Sequence, residues 1–442
     1  MKKTVVYRFG RFELRPDDYV LLDEGAPVPL TPKAFDTLAA LVRRPGATVS
    51  REELMRDVWP DTFVEDGGLT QNISVLRKVL GAHEGRDVIE TVPRRGYRFA
   101  AAVESVDTDA REPLVEWDAR DSAGRIDYVE GRRHLAHRTI EHVHRAIAKF
   151  ERAIELDAGF APAFAALAEA CTVAASAEYA GERWVELMAR AKSAAARALA
   201  IDDGLPQAHA SLARVHFRLD WNWALAEAEF RRALALNPRD ADSHHAFAFY
   251  LIAMERRDEA RAAAAEAHRL QPVAPVLGTG LGRILSFAGE HDLAIQQLER
   301  VRDLEPSFAQ VHFDLSFALA AEGRLDEAIA ACRTAITLSP GRPVSNAVLA
   351  NYLARAGREA DARAALEDLQ RRVHSGDASP FDLAVVHVGL GDIDRALEQL
   401  RAACRERHGL LVYLRVEQLW NPLRRDARFD GLLRQIGLVQ QF

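Results

Sequence analysis

Polar and basic side chains cluster between residues 69 and 99, and this stretch is the part of the chain best suited to chemistry. Apolar residues recur there at helical spacing: Leu69, Ile73, Leu76 and Leu80. They predict a helix with one buried face. The opposite face can hydrogen-bond throughout and holds no acid; it carries Thr70, Gln71, Ser74, Arg77 and Lys78.

A short hairpin is predicted directly after this helix. Residues 89–92 and 97–99 have the composition of strands, and the turn between them carries Arg94 and Arg95. A polar helix can read base edges in the major groove of DNA, and a basic hairpin tip can reach phosphates or the adjacent minor groove. The residue types alone leave two interpretations open: a DNA interface, or an ordinary amphipathic helix beside a solvated hairpin.

The elements that would position these side chains follow a specific order. Strand-like segments open the chain, a helix spans residues 31–43, and Ser50-Arg51-Glu52-Glu53 is a capping box that begins a second helix. Over residues 5–103 this order closely resembles the winged helix-turn-helix effector domain of OmpR/PhoB-type regulators. The matching residues include Leu30-Thr31-Pro32, Phe35, Leu38, Ser50 to Leu54, Val58-Trp59, Ile73, Leu76-Arg77-Lys78, Leu80 and Gly96 to Phe99.

The resemblance implies an α+β domain that binds double-stranded DNA, with a recognition helix over residues 66–80 and a wing tip over residues 93–96. Thr70, Gln71, Asn72 and Ser74 would lie nearest the base edges. Arg77 and Lys78 would mostly contact phosphates, with Arg94 and Arg95 at the wing. Many relatives have arginines where this chain has Ser74 and Val75, so the preferred DNA sequence does not follow from the resemblance.

Residues 59–65 connect the second predicted helix to the third. In regulators that this domain resembles, the corresponding loop can touch RNA polymerase. Here Asp61 and Glu65 would form that surface. The alternative is that the loop's aromatic residues, Trp59 and Phe63, simply pack under the helices.

Composition and charge restrict the class of protein. The 442 residues suffice for two or three domains, and 48% hydrophobic with 28% charged residues is a soluble globular balance. The net charge is -7, yet residues 67–100 hold six basic and three acidic residues. Three scattered cysteines favour a reducing compartment. Without a signal peptide or a run of ~18 apolar residues, the sequence predicts a cytoplasmic protein with no membrane partner.

From about residue 127 the chain repeats with a period of 34 residues. Prolines stand at 238, 272, 306 and 340, and alanines at 260, 294, 328, 362 and 396. The pattern resembles the tetratricopeptide repeat (TPR), which implies an all-α solenoid of helix pairs. Alanine is expected where the two helices of a repeat cross closely.

The repeat period places the domain boundaries. Repeats are predicted to begin near Asp127, Ala161, Pro206, Ala241, Pro275, Ala309, Pro343 and Asp377. The third holds about one extra residue, near Trp221-Asn222-Trp223. Residues 405–442 lose the period but keep helical spacing, and we expect them to cap the stack. The predicted domains are 1–104 (winged helix), 105–125 (linker), 126–404 (repeat array) and 405–442 (cap).

The first helix of each repeat in resembling arrays lines a concave groove. Counting places within each repeat predicts the residues that would point into it: Arg214, His245, Phe249, Arg283, Phe313, Phe317 and Asn351. Aromatic area and arginines suit an extended protein or peptide ligand with acidic and apolar residues. A small error in the repeat frame would instead place the phenylalanines in the core.

Other candidate chemistry favours packing. The glycines at 278, 280 and 282 lack the Lys-Ser/Thr of a phosphate loop, so close helix packing is expected there. Cys332 falls at a small buried position of its repeat. No catalytic residues, metal ligands or cofactor site are predicted, because no arrangement of nucleophile and base or of paired carboxylates stands out.

These patterns together predict a transcriptional regulator that is not an enzyme. Its winged helix would read specific DNA, and its TPR solenoid would bind a partner or sense a signal. Since no phosphoacceptor domain precedes the winged helix, control independent of a phosphorelay is expected. Two alternatives stay open: an interaction scaffold whose winged helix has lost sequence-specific binding, and an enzyme with a site in the solenoid.

Overall fold

The chain forms two compact units in the computed structural model, residues 1–157 and 158–442. The residues that the structure describes are 4–16, 20–23, 26–28, 30, 32–58, 67–83, 86–93, 95–108, 119–137, 140–178 and 181–438. Each unit is built around its own buried apolar side chains.

The first unit contains short antiparallel strands. They are β1 (Thr4–Phe9), β2 (Phe12–Arg15), β3 (Val20–Asp23), β4 (Ala26–Val28), β5 (Thr48–Val49), β6 (Ala82–His83), β7 (Arg86–Asp87), β8 (Ile89–Val92), β9 (Gly96–Phe99) and β10 (Glu104–Thr108). One sheet has the order β10-β1-β2-β3-β4, another the order β5-β9-β8, and β6 pairs with β7. In β2, Phe12 and Leu14 are buried while the alternate residues, Glu13 and Arg15, are half-buried, so one face of the sheet covers the core.

Three helices complete the winged helix-turn-helix fold: α1 (Pro32–Val42), α2 (Arg51–Val58) and α3 (Gly67–Leu80). The predicted capping box begins α2, because the Ser50 hydroxyl accepts from the Glu53 amide at 3.1 Å and the Glu53 carboxylate accepts from the Ser50 amide at 2.9 Å. The Phe9 ring meets the edge of the Phe99 ring at 5.0 Å and joins the two larger sheets. The predicted α+β fold is confirmed.

Helix pairs fill the rest of the chain. A hairpin of α4 (Ala119–His137) and α5 (Ile140–Leu156) belongs to the first unit. The second unit contains α6 (Ala161–Glu178), α7 (Gly181–Ile201), α8 (Pro206–Val215), α9 (Trp223–Leu236), α10 (Ala241–Ala253), α11 (Arg257–Leu270), α12 (Pro275–Ala288), α13 (His291–Leu304), α14 (Ala309–Ala321), α15 (Leu325–Leu338), α16 (Pro343–Arg355), α17 (Glu359–His374), α18 (Pro380–Gly389), α19 (Ile393–Arg405) and α20 (Ala427–Gln435). This is the predicted all-α solenoid.

Six first helices begin at the predicted residue, from α6 to α16. The last prediction was wrong by three residues, because α17 continues to His374 and Ser379 caps α18 in a capping box with Asp382. The first predicted start, Asp127, falls inside α4. The extra residue of the third repeat is absorbed by a π-helical turn at residues 216–220, which ends at Trp221 with φ +55°.

Alanines repeat where helices cross. Ala260, Ala294, Ala328, Ala362 and Ala396 each stand at 0% exposure, so a larger side chain there would have to displace a helix. Gly278, Gly280 and Gly282 likewise allow neighbouring helices to pack closely. A Cβ at Gly280 would lie 2.2 Å from His245, and one at Gly282 would lie 2.5 Å from Leu298. The expectation of close packing at these glycines is confirmed.

Residues 406–438, called the C-terminal segment below, differ from the predicted cap. They contain two short 3-10 helices, Leu411–Tyr413 and Gln418–Leu423, followed by α20. Trp420 packs against Phe381 of α18, as a cap would, but Tyr413 packs against Phe217 in the π-helical turn that follows α8. The segment therefore runs back along the repeats rather than covering only the last one.

Candidate nucleic-acid interface and repeat groove

Helix α3 has the two faces that its sequence predicts. Leu69, Ile73, Leu76 and Leu80 are at most 5% exposed and join the core of the first unit. Thr70, Ser74 and Lys78, which are four residues apart, are all exposed. They form one polar stripe along the helix. The side chain of Gln71 lies outside the described residues.

Asn72 does not belong to this stripe, which corrects its predicted place near the base edges. It is 8% exposed, and its amide donates to the hydroxyl of Thr37 in α1 at 3.2 Å. Position 72 lies on the buried side because it is three and four residues from Leu69 and Leu76. Its polar group therefore connects two helices of the core.

Arg77 links α3 to the hairpin. Its Nε donates to the carbonyl of Ile89 at 2.8 Å, and its Nη2 donates to the hydroxyl of Thr91 at 2.8 Å. These bonds use two of the five guanidinium donors and fix the end of the helix against β8. Whether the remaining donors contact phosphate stays a prediction, as it does for exposed Lys78.

The wing is a tight turn between β8 and β9. The Arg95 amide donates to the carbonyl of Val92 at 3.0 Å, and the Arg95 side chain is exposed. Gly96 follows with φ +135°, and a Cβ there would lie 2.1 Å from the carbonyl oxygen of Val49. Glycine is therefore required where β9 passes β5. Arg94 lies outside the described residues, as do Asp61 and Glu65 of the proposed polymerase loop.

The predicted groove positions lie on the first helices of the repeats, but the C-terminal segment contacts two of them, Phe249 and Arg283. Arg283 is 9% exposed, and its guanidinium lies between the rings of Phe287 and Phe317, at 4.3 and 3.8 Å from their centroids. It forms an ion pair with Glu417 of the C-terminal segment. Phe249 meets the ring of Tyr413, from the same segment, at 6.0 Å.

The other predicted groove residues have varied surroundings. Asn351 is 1% exposed and donates to the carbonyl of Val385 at 2.8 Å, so it connects α16 to α18 and was wrongly placed in the groove. Phe313 is buried beside Phe317, which agrees with the alternative of a core position. His245 meets Phe249 edge-on at 5.1 Å, and Arg214 donates to the carbonyl of Asp242 at 3.1 Å.

Sequence reasoning missed Tyr413 and Glu417, the residues that occupy this surface. Nothing in the spacing of residues 405–442 shows which repeat they meet, because the Arg283–Glu417 pair joins residues 134 positions apart. The pair is accompanied by Asp314, whose Oδ1 lies 3.8 Å from the Arg283 Nε. Burial raises the pKa of the Asp314 carboxyl to about 6, and the charge of Arg283 opposes that rise.

No group of three or more His, Cys, Asp or Glu among the described residues could hold a metal ion. Cys332 and Cys404 are buried, and burial raises their thiol pKa values to about 12 and about 11, which disfavours a reactive thiolate. In the same part of the chain, no helix has both the length and the apolar character to cross a membrane.

Family models match both units. Residues 25–99 match the model described as "Transcriptional regulatory protein, C terminal", and residues 279–343 and 319–380 match two models described as "Tetratricopeptide repeat". The chain carries an OmpR/PhoB-type DNA-binding domain followed by tetratricopeptide repeats. The predicted resemblance to these two families is thereby confirmed for both parts of the chain.

Several transcriptional regulators match a stretch about as long as the DNA-binding domain. Transcriptional regulator HilA of Salmonella typhimurium is 33% identical over 105 residues, which are 22% of this chain and 19% of HilA. The phosphate regulon regulatory protein PhoB of Klebsiella pneumoniae is 34% identical over 90 residues, 20% of this chain and 39% of PhoB. The solved DNA-binding domain of Escherichia coli CadC is 31% identical and fully covered, with 24% of this chain matched and a TM-score of 0.22. The chain spans less than half the length of either regulator.

Proposed function

We propose that this protein is a transcriptional regulator that binds specific duplex DNA sequences through α3 and the wing. The observation that supports this most is the exposed stripe of Thr70, Ser74 and Lys78 on a helix whose other face is buried in the core. A rigidly seated helix with a polar outer stripe can present side chains to the major groove. The cytoplasm, where the DNA target would lie, is part of this proposal.

Sequence selection with the full-length chain tests the proposal. Random duplexes are passed over the protein at about 0.15 M salt, and bound fragments are sequenced and then titrated at several salt concentrations. A recurring motif bound more tightly than scrambled DNA supports the proposal, and two half-sites about one helical turn apart are expected. Binding that shows no sequence preference would favour the alternative, a scaffold without sequence-specific DNA recognition.

The proposal has two further parts, a protein or peptide partner for the repeat array and RNA polymerase for the loop at residues 59–65. For the loop, Asp61→Ala with Glu65→Ala should keep DNA binding intact and reduce transcription from a promoter carrying the selected motif. The measurement is run-off transcription with purified polymerase, and Asp57→Ala in α2 is the control. Unchanged transcription would remove polymerase from the proposed partners.

A further inference from the structure

The C-terminal segment contacts several repeats, as a bound ligand would. Its Gly409 passes the indole of Trp184 in α7, where a Cβ would lie 2.8 Å from Cζ2. Tyr413 stacks on Phe287 of α12 at 5.4 Å and also contacts Phe217 and Phe249. The segment thus crosses several repeats, whereas a repeat helix contacts only its neighbours.

Polar side chains of the segment find partners on successive repeats. Arg415 pairs with Glu255, in the turn just after α10, at 2.6 Å, and Glu417 pairs with Arg283 on α12. The Arg283 and Glu417 side chains are 11% and 13% exposed, so the pair is largely removed from water. A buried cation of this kind requires an acidic partner, because an uncompensated charge there is costly.

Arg283 is not fully satisfied by the segment. Its Nη1 is buried, and none of the described residues accepts a hydrogen bond from it. The guanidinium also keeps its two aromatic contacts, with Phe287 and Phe317. A carboxylate that bound the guanidinium bidentately would use this remaining donor. The surface is therefore suited to an acidic ligand and is only partly used by Glu417.

We infer that the surface formed by Phe217, Phe249, Arg283, Phe287 and Phe317 is a binding site for a partner peptide with an aromatic residue and, four positions later, a glutamate. The chain's own Tyr413 and Glu417 have this spacing and hold the site until such a partner replaces them. The inference rests on the proposed partner role of the repeat array and names the chemistry of that partner.

The resident segment has a large advantage over a free peptide. Its short connection to α19 gives an effective concentration of about 1 mM, so a free copy of the same sequence should bind the wild-type chain weakly. Changing Tyr413 and Glu417 weakens the resident segment and leaves the residues of the surface themselves unsubstituted, because both side chains belong to the segment. Such a variant should accept the peptide more readily.

Peptide titration tests the inference. A fluorescent peptide with the sequence of residues 408–420 is titrated into the full-length wild type and into Tyr413→Ala with Glu417→Gln. We expect the variant to bind it about tenfold tighter or more, and a peptide with glutamine in place of its glutamate to bind both chains weakly. Adding Arg283→Met to the variant should abolish binding. Arg428→Ala on α20, whose ion pairs are exposed, is the matched control and should behave like the wild type.

Three results would overturn the inference. They are equal affinity of the wild type and the variant, binding that ignores the peptide's glutamate, and a variant that forms dimers by exchanging C-terminal segments, seen by light scattering. If the double variant fails to fold by circular dichroism, Glu417→Gln alone serves in its place, with the same expected direction. DNA binding is measured on the same samples, so a failure of DNA recognition is distinguished from a failure of the peptide site.

Discussion

At the scale of single residues, Asn72 is a polar residue that the sequence places at the DNA interface and the structure places in the core. We expect Asn72→Ala to lower the free energy of unfolding by about 1–3 kcal/mol, because it removes a buried hydrogen bond to Thr37. The affinity of the folded protein for DNA should change little. Ser74→Ala, on the exposed stripe, should weaken DNA binding and leave the free energy of unfolding almost unchanged. Urea unfolding and DNA titration of both variants check this, and weaker DNA binding by a fully stable Asn72→Ala would return Asn72 to the interface.

His408 makes stability depend on pH. Burial lowers its pKa to about 3, and its ring stacks on Phe381 at 4.3 Å while Nδ1 accepts from the Leu410 amide. His408 in the unfolded chain binds a proton below about pH 6.5, whereas in the folded chain it does not. The contribution of His408 to the free energy of unfolding is therefore fully present above that pH and is lost as the pH falls towards 3.

The His408 contribution can be isolated by substitution. His408→Asn keeps an acceptor for the Leu410 amide but does not titrate. Between pH 7 and pH 5 the wild type should lose about 2 kcal/mol more than this variant in urea unfolding. The comparison is needed because Asp314 and Asp382, whose pKa values burial raises to about 6, act in the opposite direction. Equal pH dependence in the two proteins would mean that His408 titrates normally in the fold.

At the scale of elements, the wing should add affinity without adding sequence preference. Arg94→Ala with Arg95→Ala removes two cations from the turn between β8 and β9. We expect weaker binding to every duplex. The slope of log K against the logarithm of the salt concentration should become shallower by about one to two, since fewer counterions are released. Arg98→Ala is the matched control, because Arg98 already pairs with Glu90 across the hairpin. An unchanged affinity and salt slope in the double variant would contradict the wing's role.

The sequence predicted those elements that follow a local rule. The 34-residue period located most first helices because alanines and prolines recur at fixed places, and the capping box located α2. The buried bond of Asn72 and the route of the C-terminal segment were not predicted. Both depend on contacts between distant residues, Asn72 with Thr37 and Glu417 with Arg283, and helical spacing carries no information about such partners.

At the scale of the whole second unit, the C-terminal segment should couple the local stabilities of the several repeats that it contacts. A repeat array without it would gain stability only from neighbouring repeats. Here Tyr413 alone joins residues from three repeats, Phe217, Phe249 and Phe287. We therefore expect Tyr413→Ala to speed amide hydrogen exchange in α8, α10 and α12 together.

A local core substitution provides the comparison. Ile329, 3% exposed in α15, belongs to a buried cluster that contains no residue of α8, so Ile329→Ala should speed exchange in α14, α15 and α16 while α8 keeps its protection. Hydrogen exchange measured by mass spectrometry on both full-length variants gives the pattern. If Tyr413→Ala changed exchange in only one of these three helices, the segment would not couple the repeats and their local stabilities would be independent. A residue that couples three helices should, when it is removed, speed exchange in all three.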